Sequence, residues 1–219
     1  CHASGDVFTF IMKKENISFS EAVEILAARA HIALPAFEQT PAEQARERQR
    51  SRLYEINEMA CTFFHNCLVK THYGEKGLAY FRQRHVSDET IRTFRLGFAP
   101  DSWDKLTEAF QKKGIAKEEL LLLGLAKESN HKVYDAFRNR VIFPIRDGRG
   151  KTVAFGGRVL DDSKPKYLNS PETPVFDKRS LLFAMDVAHK GIYEKGRAVL
   201  VEGYMDVISA HNRGITNVV

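Results

Sequence analysis

The sequence predicts a mixed fold, α+β over most of its length and passing into α/β at its end. Three observations carry this. Apolar residues recur at helical spacing through the first half of the chain. Two apolar runs, 141–146 and 152–160, flank Asp147-Gly148-Arg149-Gly150, a hairpin turn signal. The final residues then run strand, helix, strand, the order that builds a parallel sheet.

Taken in order, residues 6–12 are helical in pattern after a Ser-Gly start, and 18–27 form a second helix. Ser18 or Ser20 caps it, and Glu21 lies in the first turn, where an acid is favoured. Both helices are short and amphipathic and need a partner surface. Residues 36–50 are polar and poor in apolar groups, so they read as a linker whose charged end begins a long helix. Leu53, Ile56, Ala60, Phe63, Phe64, Cys67 and Leu68 follow as a core-facing stripe, ended by Gly74. Residues 77–84 form another helix, 85–89 cap the next, and 94–100 alternate like a strand. Helical patterns return at 103–113 and 117–123, before the strands at Val133-Tyr134, 141–146 and 152–160. Then come a helix at 180–193, a buried strand at 198–201, a helix at 204–213 and the opening of a strand at 216–219. The chain divides into units at 1–35, 36–50, 51–195 and 196–219, with no internal repeat.

At 219 residues and 43% hydrophobic content, the chain can bury one good core, or a small and a larger one. No apolar run approaches the ~20 residues of a membrane span, and the start has no signal-peptide pattern. A net charge of +5 permits an anionic partner without demanding one. Three cysteines make no disulfide framework, which points to a reducing cytoplasm. The chain opens on Cys1 without an initiator Met and closes inside an apparent strand at Asn217-Val218-Val219, so it reads as a piece of a longer protein.

The chemistry concentrates in two places. Glu202 ends the apolar run Ala198-Val199-Leu200-Val201, and Gly203 turns the chain into a helix. The C-terminal tip of a strand is where open α/β sheets bind ligands. A carboxylate there suits Mg²⁺ or proton transfer, although it also suits a helix cap. Asp206, one turn on, either shares that site or is a first-turn acid. The second place is 138–178, which holds Arg138, Arg140, Arg146, Arg149, Lys151, Arg158, Lys164, Lys166 and Lys178. Gly156-Gly157 on a strand marks close approach of a ligand or another backbone. In Lys164-Pro165-Lys166-Tyr167-Leu168-Asn169-Ser170-Pro171-Glu172-Thr173 the prolines stiffen the chain, so Lys166 and Asn169 point in defined directions. That suits phosphates of a nucleotide or strand, and a solvated basic rim is the plainer alternative. Cys1 beside His2 hints at metal, but zinc needs four ligands in spaced pairs. Cys61, Cys67, His65 and His72 fall on a striped helix and read as buried thiols and satisfied histidines.

Together these strings resemble the bacterial DnaG-type DNA primase family. Cys1-His2-Ala3-Ser4-Gly5-Asp6-Val7-Phe8-Thr9-Phe10-Ile11 resembles the end of its zinc domain. Phe94-Arg95-Leu96-Gly97-Phe98-Ala99-Pro100, Arg140-Val141-Ile142-Phe143-Pro144-Ile145-Arg146-Asp147 and Phe155-Gly156-Gly157-Arg158-Val159-Leu160 resemble its polymerase domain, as does the Pro165–Thr173 string. Val201-Glu202-Gly203-Tyr204-Met205-Asp206-Val207 resembles the first motif of the Toprim fold. The resemblance implies a helical zinc-domain tail, the N-terminal subdomain of the primase core and the start of a Toprim parallel α/β sheet. It implies Glu202 as the catalytic acid and a ligand to Mg²⁺ (or Mn²⁺), with an Asp-x-Asp pair beyond this chain completing the site. It implies Cys1 as a Zn²⁺ ligand in the full-length N-terminal domain. Arg84, Arg146, Arg158, Lys166, Asn169 and Lys178 then hold template or nucleotide.

The implied activity is template-directed synthesis of short RNA primers from NTPs on single-stranded DNA, by a monomer in the bacterial cytoplasm at replication forks, with no membrane. These 219 residues alone are expected to be inactive. A replicative helicase would be met through a C-terminal region outside this chain. Two other readings stand beside it. One is another Toprim enzyme, a nuclease, topoisomerase or recombination factor, although no supported tyrosine nucleophile is visible. The other is a non-catalytic nucleic-acid-binding module.

Overall fold

The structure is a computed structural model that describes residues 5–15, 17–33 and 40–219. Helices α1 (Val7–Glu15) and α2 (Phe19–Ala30) pack on each other around Ile11, Ile17 and Ala22. Ser18 caps α2 as the sequence predicts. Glu21 N donates to Ser18 Oγ at 3.3 Å and Ser18 N donates to Glu21 Oε2 at 2.8 Å, a reciprocal capping box.

Helix α3 (Pro41–Lys70) starts earlier than expected, so residues 41–50 are helix and not linker. The reason is local. Glu43 N donates to Thr40 Oγ1 at 3.2 Å, Thr40 N donates to Glu43 Oε2 at 2.8 Å, and Pro41 occupies the first helical position. The first turns of α3 are exposed, and its later turns bury Leu53, Ile56, Ala60, Phe64 and Leu68. A 3₁₀ turn (His72–Gly74) leads into α4 (Glu75–Gln83) and then α5 (Asp88–Thr93), which Ser87 caps by accepting from Thr90 N at 3.1 Å.

The strand expected at 94–100 shrinks to β1 (Gly97–Ala99), because Phe94 closes α5 and Arg95 takes a left-handed φ of 51°. Helices α6 (Lys105–Gln111) and α7 (Lys117–Leu122) precede a hairpin of β2 (Ala126–Ser129) and β3 (Lys132–Asp135). The polar β2 has no apolar signal and was not foreseen. Strands β4 (Arg140–Arg146), β5 (Thr152–Val159) and β6 (Tyr167–Asn169) join β1 in an antiparallel sheet of order β1-β4-β5-β6. Ile142 packs into the cluster around Phe64 and Phe155, whereas Val141 and Phe143 pack into the one around Phe81 and Val207. The sheet is thus covered on both faces, which explains the unbroken apolar run of β4.

Helix α8 (Met185–Lys195) begins later than expected, after Ala184 at φ 65°. Helix α9 (Tyr204–Asn212) follows the acidic turn. The segment 198–201 is not the buried strand that its apolar run predicts. Val199 and Leu200 are 39% and 71% exposed. Its pairing is parallel as expected, with Val199 N donating to Asn217 O (2.8 Å), Val219 N to Val199 O (2.9 Å) and Val201 N to Val219 O (3.1 Å). Two short strands alone leave Leu200 facing solvent. Among the described residues, no helix is long and apolar enough to cross a membrane.

Candidate functional site

The basic edge is built on β5 and β6. Arg158, near the end of β5, donates from Nη1 to the hydroxyl of Tyr80 on α4. Arg84 follows α4 as its C-cap, one turn after Tyr80. The guanidinium carbons of Arg84 and Arg158 lie 4.4 Å and 5.0 Å from the Tyr80 ring centroid, and that of Arg158 lies 5.7 Å from Tyr167. One tyrosine therefore gathers two cations expected at the site. Arg158 Nε is buried without a hydrogen-bond partner among the described residues.

Lys166 sits beside this pair through its backbone. Its carbonyl accepts from Val159 N at 3.1 Å and from Arg140 Nη1 at 3.4 Å, and Arg140 Nη1 also donates to Pro165 O at 2.9 Å. Arg140 is buried, and desolvation and then Arg138 push its guanidinium pKa down. It is spent on the backbone of the loop while the Lys166 side chain stays exposed. Arg84, Arg158, Lys166 and Lys178 form no ion pair among the described residues, whereas Arg52, Arg95, Arg146 and Arg149 each meet an acid.

The acidic turn meets the same sheet through Tyr204. Glu202 is exposed and makes no hydrogen bond or ion pair among the described residues. Tyr204, two residues on, reaches over the sheet. Its ring stacks on Phe143 (5.3 Å, 26°) and meets Phe183 edge-on (4.8 Å, 63°), and its hydroxyl donates to Asn169 Oδ1 at 3.1 Å. Burial pushes its phenol above the ordinary tyrosine value. A cleft of about 140 Å³ opens between Asn169, Lys178, Tyr204, Ile145, Phe176 and Phe183. Glu202, Arg158 and Lys166 lie outside its lining. Asp206 turns back on its own helix start, with Oδ2 2.8 Å from the place where a Gly203 Cβ would lie, as a first-turn acid does. No three His, Cys, Asp or Glu side chains come together as a metal centre among the described residues.

Several expectations need correction. Arg146 is not a free cation of the site. Its Nε lies 3.0 Å from Asp186 Oδ2 and its Nη2 donates to Thr93 O at 3.1 Å. Asn169 lines the cleft, and its side-chain carbonyl is already taken by Tyr204. The protein atoms over Gly156 and Gly157 are side chains and not another backbone. A Cβ on Gly156 would fall 2.4 Å from Tyr204 Cε2, and one on Gly157 2.8 Å from Phe137 Cδ1. Cys1 lies outside the described residues. Cys61 and Cys67 are buried free thiols, as read, and His65 Nδ1 sits 2.8 Å from Leu96 O.

Sequence reasoning missed Tyr80 and Tyr204 as parts of the site, and it counted Arg140 among the basic residues without its role in holding the loop backbone. The Tyr80–Arg84 spacing of one helical turn was a usable signal. For Tyr204 the signal was the Gly156 gap, whose occupant only the tertiary structure names.

Residues 63–189 match the family described as "DNA primase catalytic core, N-terminal domain", and residues 1–42 match "CHC2 zinc finger". A DNA primase of Deinococcus radiodurans is 48% identical over 221 residues, covering 100% of this chain and 37% of that protein. The RNA polymerase domain of Mycobacterium tuberculosis primase DnaG, solved with a double-stranded DNA oligomer with a 6-nucleotide overhang, superposes with a TM-score of 0.72 at 37% identity, covering 77% of this chain and 53% of that one. The zinc-binding and RNA polymerase domains of the Aquifex aeolicus primase give a TM-score of 0.71 at 32% identity, covering 98% of this chain and 50% of that one. The chain spans little more than a third of the length of the curated relatives it matches.

Proposed function

The chain belongs to the bacterial DnaG-type DNA primase family, and from that premise we propose that it forms part of an enzyme that builds short RNA primers from NTPs on single-stranded DNA. The observation that carries the reading is the unneutralised basic edge, in which Tyr80 gathers Arg84 and Arg158 beside Lys166. Among the described residues these cations have no acid of their own to hold, so template or nucleotide phosphates are their natural counter-charge. Lys178 and the Asn169 amide, which line the cleft, serve the same purpose. The M. tuberculosis structure with DNA supports a nucleic-acid partner for this fold.

Glu202 fits the metal role so far as one residue can. It is an exposed, unpaired carboxylate, and Mg²⁺ commonly binds through one or two carboxylates with substrate phosphates and water. A divalent cation (Mg²⁺ or Mn²⁺) there would neutralise charge on the transferred phosphoryl group. Glu202 contributes one negative ligand and helps manage the proton of the attacking 3′-hydroxyl. Arg158 and Lys166 hold the strand so that this hydroxyl meets the incoming phosphate in line.

In this reading residues 1–35 are a zinc-domain tail with Cys1 a Zn²⁺ ligand, 51–195 a polymerase subdomain and 196–219 the start of a Toprim unit. The isolated 219 residues make no primers, since a lone carboxylate holds Mg²⁺ poorly. The working protein is a cytoplasmic monomer that meets a replicative helicase through another region.

Glu202→Gln in the full-length protein tests the reading. Primer synthesis should fall by about 100-fold or more, the scale of losing a charge-stabilising group, with single-stranded DNA affinity retained. Primer synthesis at the wild-type rate would remove Glu202 from the chemistry.

A further inference from the structure

We infer that Tyr204 is a positioning residue, one that sets the Glu202 turn against the basic edge and aims the Asn169 amide into the cleft as a hydrogen-bond donor. The inference rests on the reading of Glu202 as the metal-holding acid. Its geometry is independent of that reading.

Tyr204 is two residues from Glu202, no more than about 7 Å along the chain. Its ring is held on three sides, by Phe143, by Phe183 and by the bare α-carbon of Gly156. A methyl group on Gly156 would lie 2.4 Å from Cε2, so the ring can settle there only over glycine. The acidic turn is thereby indexed to one residue of β5, two places from Arg158.

The hydroxyl has a second task. By donating to Asn169 Oδ1 at 3.1 Å it fixes which end of the amide faces the ring. Asn169 Nδ2, with two protons, makes no hydrogen bond among the described residues, and Asn169 lines the cleft together with Lys178. An amide donor and an ammonium facing one small cleft recognise an anionic oxygen, the class to which a nucleotide phosphate belongs. Without the hydroxyl the amide is free to present its oxygen instead, which repels that ligand.

The test uses full-length enzyme and separates the two tasks. Tyr204→Phe keeps the ring and removes the hydroxyl. It should raise the NTP KM about fivefold, the worth of one hydrogen bond, and leave the Mg²⁺ half-activation concentration unchanged. That penalty should vanish when Tyr204→Phe is made in an Asn169→Ala background, because the two residues act through one bond. Gly156→Ala displaces the ring and should raise the Mg²⁺ half-activation concentration severalfold in a protein whose melting temperature shows it folded. A wild-type NTP KM in Tyr204→Phe overturns the proposal, as do additive losses in the double variant. An unchanged Mg²⁺ requirement in folded Gly156→Ala overturns its positioning half. Full activity in Glu202→Gln would instead sink the reading of Glu202 while leaving the Tyr204–Asn169 result to stand by its own cycle.

Discussion

Arg146 Nε lies 3.0 Å from Asp186 Oδ2, and the two side chains are only 12% and 8% exposed. This ion pair joins the end of β4 to the first turn of α8, and the bond from Arg146 Nη2 to Thr93 O ties in the end of α5. Burial pushes the Asp186 carboxyl up from its ordinary value, and the Arg146 charge opposes that. Removing one partner strands the other charge in the interior, which costs about 3–5 kcal/mol. Arg146→Ala should therefore lower stability by that amount in chemical denaturation. The salt dependence of single-stranded DNA binding should stay at the wild-type slope. A flatter slope would return Arg146 to the binding surface.

Lys166 should behave in the opposite way. Its side chain is exposed and makes no ion pair among the described residues, so Lys166→Ala should leave the melting temperature in place. It should weaken template binding and flatten the plot of log affinity against log salt by roughly one unit. A slope equal to wild type removes Lys166 from contact with phosphate.

Tyr80 is the pivot for two cations. Tyr80→Phe removes the acceptor for Arg158 but keeps the ring beneath both guanidinium groups. It should weaken single-stranded DNA binding about fivefold, and Tyr80→Ala about tenfold or more, as expected for one charge-assisted hydrogen bond and then two cation–π contacts. Fluorescence anisotropy with labelled DNA reads both. Wild-type affinity in Tyr80→Ala would show that the arginines hold their places without it.

Burial pushes the Cys67 thiol up to about 11, and Cys61 is raised for the same reason. The sign follows from linkage. Below the ordinary thiol value both folded and unfolded chains keep the proton, so the contribution to stability is constant. As pH rises beyond it the unfolded chain ionises first, and stability is lost until the folded thiol ionises in turn. Cys61 and Cys67 should thus alkylate slowly in the native protein at about pH 8.5 and quickly once urea exposes them. Its urea midpoint should fall between pH 9 and about 11, and less in Cys67→Ala. Rapid alkylation of Cys67 in the native state would contradict this.

Local signals in the sequence were accurate where the structure itself is local. Ser18 and Glu21 cap their helix, Asp147-Gly148-Arg149-Gly150 turns its hairpin, and the Leu53-to-Leu68 stripe faces the core. The cap at Thr40 was legible by the same rule, and the polarity of 41–50 hid it. Partners distant in sequence were not legible. Nothing near Arg146 announces Asp186, so one more arginine in a basic segment looked like a binding residue. The glycine pair on β5 did report close approach, but the pattern carries no label for what approaches, and the occupants are Tyr204 and Phe137. Leu200 illustrates the converse. An apolar run predicts burial, and burial requires a neighbour that two short strands do not supply.

Helix α9 is fastened at both tips. Tyr204 secures its first turn to β5 and β6, and at its last turn Asn212 accepts from Ser87 N (2.9 Å) and Thr90 Oγ1 (2.8 Å) and donates to His85 O (2.8 Å). Held at both ends, the helix gives the backbone of the acidic turn a datum against the strand edge, like the face of a gauge block.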